Sequence, residues 1–129
     1  MVPDRRAATP LGAVLPGLFD VMWGLESDMA TVSRGLWMEN FDTIHAGARA
    51  VADHPTLPPD EVERVAGVLG DEMAAFKAMD THVHDLSVDL GDAAAAGDLA
   101  RVLRLDAEIR AGCVSCHVTF RERLRQAIR

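Results

Sequence analysis

The sequence predicts an all-α protein built as an antiparallel bundle of four helices. Alanine, leucine, arginine and acidic residues are abundant and tyrosine is absent, which favours helix over strand. Apolar residues recur at alternate spacings of three and four along most of the chain, as they do on one face of a helix. The breaks between these stretches are short, and short connections join antiparallel neighbours. The length of 129 residues predicts a single domain over 16–129, preceded by an N-terminal extension over 1–15.

The first two helices are bounded by asparagine and proline. The first is predicted from about Pro16 to Glu39, with Asn40 as the break, and the second from Phe41 to Asp53. His54-Pro55 ends the second helix because the residue before a proline avoids the helical region. The apolar stripe of the first helix consists of Leu18, Phe19, Met22, Leu25, Met29, Val32 and Leu36.

The third and fourth helices meet at Gly97-Asp98, a stop followed by an N-cap. The third is predicted as one continuous helix from Pro59, with Asp80 as the one interruption of its apolar stripe. The fourth runs from about Leu99 to near the C-terminus. Its predicted inner face consists of Leu99, Val102, Ile109, Cys113, Cys116, Phe120 and Leu124.

Charge limits the classes of partner. The net charge of −7 argues against nucleic acid as a partner of the whole chain. No segment approaches the roughly 20 consecutive apolar residues of a membrane span. From Arg101 onward, however, seven arginines stand against three acidic residues. This basic segment is either a solvated helix face or a docking patch.

The run Cys113-Val114-Ser115-Cys116-His117 carries the chemistry of the chain. It contains both cysteines of the protein, and C-x-x-C-H is the attachment site of a c-type haem. Each thiol adds across one haem vinyl group, so the two sulfurs must lie on one side of the porphyrin. Residues i, i+3 and i+4 of a helix share a face. The motif therefore predicts covalent attachment through Cys113 and Cys116 and iron ligation by His117.

Other uses of a C-x-x-C pair fit less well. A structural zinc site takes four nitrogen or sulfur ligands, usually from two spaced pairs, and here there is one pair. A thioredoxin-like motif belongs near a βαβ unit, and no strand pattern precedes this one. A disulfide across two residues closes too small a loop to stabilise much.

The haem motif also predicts a compartment. Haem of the c type is normally attached after export, whereas Met1 to Pro16 lacks the apolar core and cleavage site of a signal peptide. We therefore interpret the sequence as a mature periplasmic chain with an added start methionine.

A haem motif at the end of the last helix of a four-helix bundle resembles the cytochrome c-prime family, the class II cytochromes c. His117-Val118-Thr119-Phe120-Arg121 is similar to the family's C-H-x-x-[YF]-R ending. The resemblance implies that Phe120 packs near the proximal haem face and that Arg121 lies beside the axial histidine. The chain departs from the family pattern in helix one, where Gly17 to Val21 contains no arginine.

The resemblance also implies a distal residue on the first helix. Counted back from Phe41-Asp42, the matching position is Met22, which would make this a low-spin, six-coordinate subgroup member. A thioether is a competent axial ligand of haem iron. Met29, two turns further on, is the runner-up. His45, His54, His82 and His84 are predicted surface or boundary residues, with bis-histidine ligation through His84 left open.

Three functions compete. The leading hypothesis is a one-electron carrier, not an enzyme, because no catalytic acid and base pair is visible. The alternative is a five-coordinate, c-prime-like protein that binds nitric oxide or carbon monoxide at an open distal site. A haem-free interaction module is a third. The expected partner is a redox protein of unknown identity, and the resemblance implies a homodimer through the first two helices, with Trp23 and Trp37 as candidate contacts.

Overall fold

The computed structural model describes residues 17–126, and within them every regular element is helical. The helices are α1 (Leu18–Trp37), α2 (Phe41–Ala52), α3 (Pro59–Leu69), α4 (Met73–Ala95) and α5 (Leu99–Arg125). The all-α prediction is therefore confirmed for this part of the chain. The predicted extension over 1–15, Pro16 and the last three residues lie outside it.

The helices pack as antiparallel neighbours in chain order. Between α1 and α2, Gly35 approaches Ile44 and Gly47 approaches Val32, so the residue numbers rise on one helix as they fall on the other. His45 on α2 contacts the carbonyl of Gly91 on α4, and His84 on α4 contacts the carbonyl of Ala52 on α2, so these two helices are also antiparallel. Between α4 and α5, Phe76 contacts Phe120 and Val83 lies next to Gly112, again in opposite order along the two helices. The order and direction of these contacts are those of an up-down-up-down bundle.

Capping residues next to the helix ends explain where two of the helices begin. The side chain of Asn40 accepts a hydrogen bond from the backbone N–H of Thr43 at 3.1 Å, and Asp98 does the same for Arg101. Gly97 precedes that cap with φ of 68°, a left-handed conformation that glycine adopts without strain. The predicted breaks at Asn40 and at Gly97-Asp98 are thus confirmed, with their physical cause.

The prediction of one continuous third helix is wrong. A 3₁₀ turn at Gly70–Glu72 separates α3 from α4. Gly70 has φ of 54°, which the α-helix does not allow, so the helix stops there although its apolar pattern continues. The apolar pattern continues across the turn because Val65 and Leu69 before it and Phe76 after it pack in the same apolar cluster.

Two apolar clusters fill the interior. The upper cluster joins α1, α2, α4 and α5 and includes Val32, Ile44, Leu90 and Ile109. The lower cluster joins α1, α3 and α5 and consists of Leu18, Val65, Leu69, Phe120 and Leu124. Beside the upper cluster, next to Val32 and Ile109 in the chain, α1 and α5 are linked by a hydrogen bond of 2.6 Å from Arg110 to the hydroxyl of Ser33. Below this link the two helices border the cavity described next.

No helix within residues 17–126 is long and apolar enough to cross a bilayer.

An ion pair ties the end of α2 to α4 and predicts a pH effect. Nε2 of His54 lies 3.6 Å from a carboxylate oxygen of Asp80. This contact raises the pKa of His54 and lowers the pKa of Asp80. The histidine's contribution to stability is therefore complete below its unfolded pKa of about 6.5 and is lost as pH rises through the folded value. The carboxylate's contribution is present above its unfolded pKa of about 3.9 and is lost on acidification.

We expect the free energy of unfolding to fall from about pH 6 to pH 8 by less than about 1 kcal/mol, since both groups are partly exposed. Urea titrations at the two pH values measure it. Asp80→Asn removes the partner of His54 and should remove this part of the pH dependence of the free energy of unfolding. The pH dependence that comes from the other titrating groups should remain. An identical pH profile in the variant would contradict the assignment.

Candidate haem-binding cavity

A cavity of about 680 Å³ lies between the first half of α1 and the last third of α5. Its volume is within the roughly 300–1,000 Å³ typical of cofactor sites. Most of its lining is apolar, and the polar groups are few. The lining residues are Leu18, Phe19, Met22, Trp23 and Glu26 on α1, Phe76 on α4, and Cys116, His117, Phe120, Arg121, Leu124 and Arg125 on α5.

The α1 wall is an apolar stripe at helical spacing. Phe19 and Trp23, four residues apart, meet edge to face with ring centroids 6.2 Å apart. Phe19 and Met22 keep 41% and 38% of their surface accessible. The sequence pattern predicts both inside a core stripe, but here they border the cavity, whereas Leu18 and Val32 of the same stripe are buried.

The α5 wall is held in place from below. Phe120 is buried and packs edge to face on Phe76, with centroids 5.6 Å apart. One turn later Arg123 makes two hydrogen bonds, of 2.9 and 2.8 Å, to the carboxylate of Glu72 in the turn between α3 and α4. These contacts fix the rotation of α5 about its axis. The face that carries Cys116 and His117 is thereby directed to the cavity.

His117 and Met22 lie on opposite walls of the same cavity. His117 is exposed, and within the described part of the chain neither of its ring nitrogens makes a hydrogen bond. Both nitrogens are therefore available to a ligand. The sequence places these two residues 95 positions apart, so the fold alone brings them to one site.

Cys113 differs from Cys116 in position. Cys116 lines the cavity and contacts the lower cluster, whereas Cys113 is half-buried against the upper cluster and does not appear in the cavity lining. The two cysteines form no disulfide. Burial raises the pKa of both thiols, the reverse of the low pKa that activates thioredoxin-like cysteines.

The competing ligand candidates lie elsewhere. Met29 packs against the upper cluster and borders a different, shallower depression beside Trp37. His45 and His84 contact the carbonyls of Gly91 and Ala52, and His54 pairs with Asp80. His82 is exposed on α4. Of the methionines and histidines weighed as ligands, only Met22 and His117 line the large cavity.

The cavity brings together part of what a covalently attached haem needs. Phe19, Trp23 and Phe76 supply an apolar surface, and the thiol of Cys116 and the imidazole of His117 lie on one wall, whereas the thiol of Cys113 lies outside the lining. No group of three or more His, Cys, Asp or Glu residues within 17–126 is placed to hold a bare metal ion. Haem iron needs no such group, because the porphyrin supplies four of its ligands and the protein only axial ones.

Sequence reasoning missed part of the lining. Glu26, Phe76 and Arg125 border the cavity without having been assigned to it. The four-residue steps from Met22 to Glu26 and from Arg121 to Arg125 are the signal that could have found two of them. Phe76 reaches the cavity only because of the turn at Gly70–Glu72, which the pattern does not reveal. Trp37, a proposed contact residue, is fully on the surface, whereas Trp23 faces the cavity.

Comparison with known proteins identifies no relative: no family model, no curated protein and no solved structure matches this chain.

Proposed function

We propose that this protein is a periplasmic c-type cytochrome of the c-prime kind that carries one electron at a time. The observation that supports it most is the convergence of Met22, Cys116 and His117 on one apolar cavity of suitable volume. The C-x-x-C-H motif supports covalent haem independently of the fold. The haem would supply the redox-active iron, and the protein would set its potential through axial ligands and burial.

Each site residue has a distinct role in this proposal. Cys113 and Cys116 would form thioethers with the haem, and His117 on α5 and Met22 on α1 would bind its iron. Phe120, held by Phe76, keeps the imidazole's helical turn in place. Arg121, one turn after His117, places a positive charge beside the proximal side of the cavity.

A methionine and histidine pair suits an electron carrier. Both ligands would come from helices that the two apolar clusters hold, which favours small changes around the iron between oxidation states. Methionine ligation raises the reduction potential relative to two histidines. The proposed activity is therefore electron transfer rather than catalysis of a substrate reaction.

Binding of nitric oxide or carbon monoxide is the second candidate. The observation that favours it is the 38% accessibility of Met22, which leaves part of this residue uncovered by its neighbours. A diatomic molecule could then compete for the distal position. The two functions differ in the coordination state of the resting iron.

Covalent attachment is the first test of the proposal. We expect the protein, expressed in an export- and haem-attachment-competent host, to be red and to keep its haem through extraction with acidified acetone. Cys113→Ser and Cys116→Ser should each leave one thioether, seen as a shifted absorption band of the pyridine haemochrome. The double variant should release its haem entirely. A colourless wild type, or one that loses all its haem to acetone, would refute the proposal.

A further inference from the structure

The outer surface of α5 next to the cavity combines exposed apolar and basic side chains. Val114 and Val118 are 58% and 82% exposed, unusual values for valine. Arg121 and Arg125 follow at spacings of three and four, which places all four residues on one stripe of the helix. We call these four residues the α5 patch.

The α5 patch adjoins the cavity. Arg121 and Arg125 belong to the patch and also line the cavity. Val114 and Val118 are the immediate neighbours of Cys113 and His117 in the chain. A molecule seated on the patch would therefore lie within about one helix diameter, roughly 10 Å, of whatever the cavity holds.

Charge at the patch is opposite to that of the protein as a whole. The chain carries −7, yet both ionisable residues of the patch are arginines. Arg121 forms no ion pair with another described residue, and Arg125 has only a loose pairing with Glu122 at 3.6 Å. Facing them across the cavity, α1 contributes one carboxylate, Glu26. The patch therefore keeps a local positive potential on an acidic protein.

We infer that the α5 patch is the docking surface for an acidic redox protein, an inference that rests on the proposed electron-carrier function. Apolar side chains ringed by charge are typical of the centre and rim of a transient interface. A symmetric contact with a second copy of this chain would bring four arginines into one interface with no carboxylate of the patch to pair with them, which disfavours that occupant. An acidic partner satisfies both the charge and the exposed valines.

The first test locates the site of electron exchange with a small anion. Ferrocyanide forms when ferricyanide takes one electron from the ferrous protein, and stopped-flow absorbance follows the reaction. At an ionic strength of about 0.1 M the Debye length is about 10 Å, so only nearby charges act. Arg125→Glu should slow this reaction about threefold or more. Arg104→Glu makes the same charge change about 31 Å away along α5 and should leave the rate nearly unchanged.

The second test uses reduced flavodoxin, a small acidic redox protein, as a one-electron donor to the ferric protein. Its rate should be greatest at low salt and should fall as salt screens the patch. Val118→Asp places a negative charge in the apolar centre and should slow the reaction about tenfold. Leu103→Asp is the matched control, since Leu103 is 52% exposed on the same helix about 22 Å away.

The outcomes separate this inference from the proposed function. Slow exchange in Arg125→Glu and Val118→Asp but not in the two controls, with an unchanged haem spectrum in Val118→Asp, supports docking at the patch. Equal effects of patch and control substitutions, or none, overturn it while leaving the electron carrier intact. A wild-type dimer that Val118→Asp dissociates, measured by sedimentation, assigns the patch to a second copy and also overturns it. Absence of bound haem overturns both.

Discussion

Met22→Leu is expected to change the protein from a six-coordinate, low-spin state to a five-coordinate, high-spin state. Leucine keeps an apolar side chain of similar volume but removes the sulfur, and exchange of methionine and leucine costs less than about 1.5 kcal/mol in a core. Because Met22 borders the cavity and is 38% exposed, the packing cost here should be at the low end. The variant should fold normally.

Optical spectroscopy reads the result directly. The ferric wild type should show a weak near-infrared band from sulfur-to-iron charge transfer, and Met22→Leu should lose it. The ferrous variant should bind carbon monoxide readily, whereas the wild type should bind it slowly or not at all. The reduction potential should fall with the loss of the thioether.

Met29→Leu is the matched control. The side chain change is identical and lies on the same helix, but Met29 packs against the upper cluster, away from the cavity. Its spectrum should match the wild type. A large effect at Met29 with none at Met22 would show that the distal ligand is misassigned. No effect at either would favour the gas-binding function with an open distal position.

Gly47→Ala is expected to destabilise the protein by about 2 kcal/mol or more. A Cβ at Gly47 would lie 2.8 Å from a methyl group of Val32, 2.9 Å from its backbone nitrogen and 3.0 Å from the carbonyl oxygen of Asp28. Backbone atoms of α1 cannot rotate out of the way as a flexible side chain can. The two helices must therefore separate, which loosens the upper cluster around Val32 and Ile44.

Gly67→Ala provides the control for helix propensity. Gly67 lies within α3, and a Cβ there would meet nothing within 4 Å. Alanine should stabilise that helix by roughly 0.5–1 kcal/mol. Midpoints of urea unfolding should move in opposite directions for the two variants. Equal stabilisation by both substitutions would show that α1 and α2 do not cross as closely as described.

Gly47→Ala should also affect the proposed iron site. The crossing at Gly47 and the reciprocal one at Gly35 hold α1 against α2. Met22 lies in the N-terminal half of α1, before both crossings in the chain. In Gly47→Ala we therefore expect a fraction of five-coordinate iron that grows with temperature before global unfolding, measured by the same high-spin absorption.

Much of the fold is local and could be predicted from the sequence. Helix content follows from composition and spacing, and the helix starts at Phe41 and Leu99 follow from Asn40 and Asp98, whose side chains cap the backbone directly. Cys113, Cys116 and His117 could be proposed as haem-binding residues without knowledge of the fold, because the C-x-x-C-H pattern lies within five consecutive residues.

The turn at Gly70–Glu72 could not be predicted in the same way. The apolar spacing continues across it, since residues on both sides face the lower cluster. A single glycine within a helical pattern is compatible both with a continuous helix and with a stop. Packing of Phe76 against Phe120, together with the ion pair from Arg123 to Glu72, is what favours the stop here.

The cavity is the feature that only the tertiary structure decided. In the sequence Met22 and Met29 belong to one apolar stripe and differ only by position, so spacing cannot rank them. In the fold, α1 and α5 border the cavity below the link from Arg110 to Ser33, and the lower-cluster residues Leu18 and Phe120 form part of its lining. Met22 lines the cavity, whereas Met29 packs against the upper cluster. The sequence by itself singled out Cys113, Cys116 and His117 through their spacing, whereas helix packing, which depends on contacts between distant residues, placed Met22 rather than Met29 in the cavity that His117 lines.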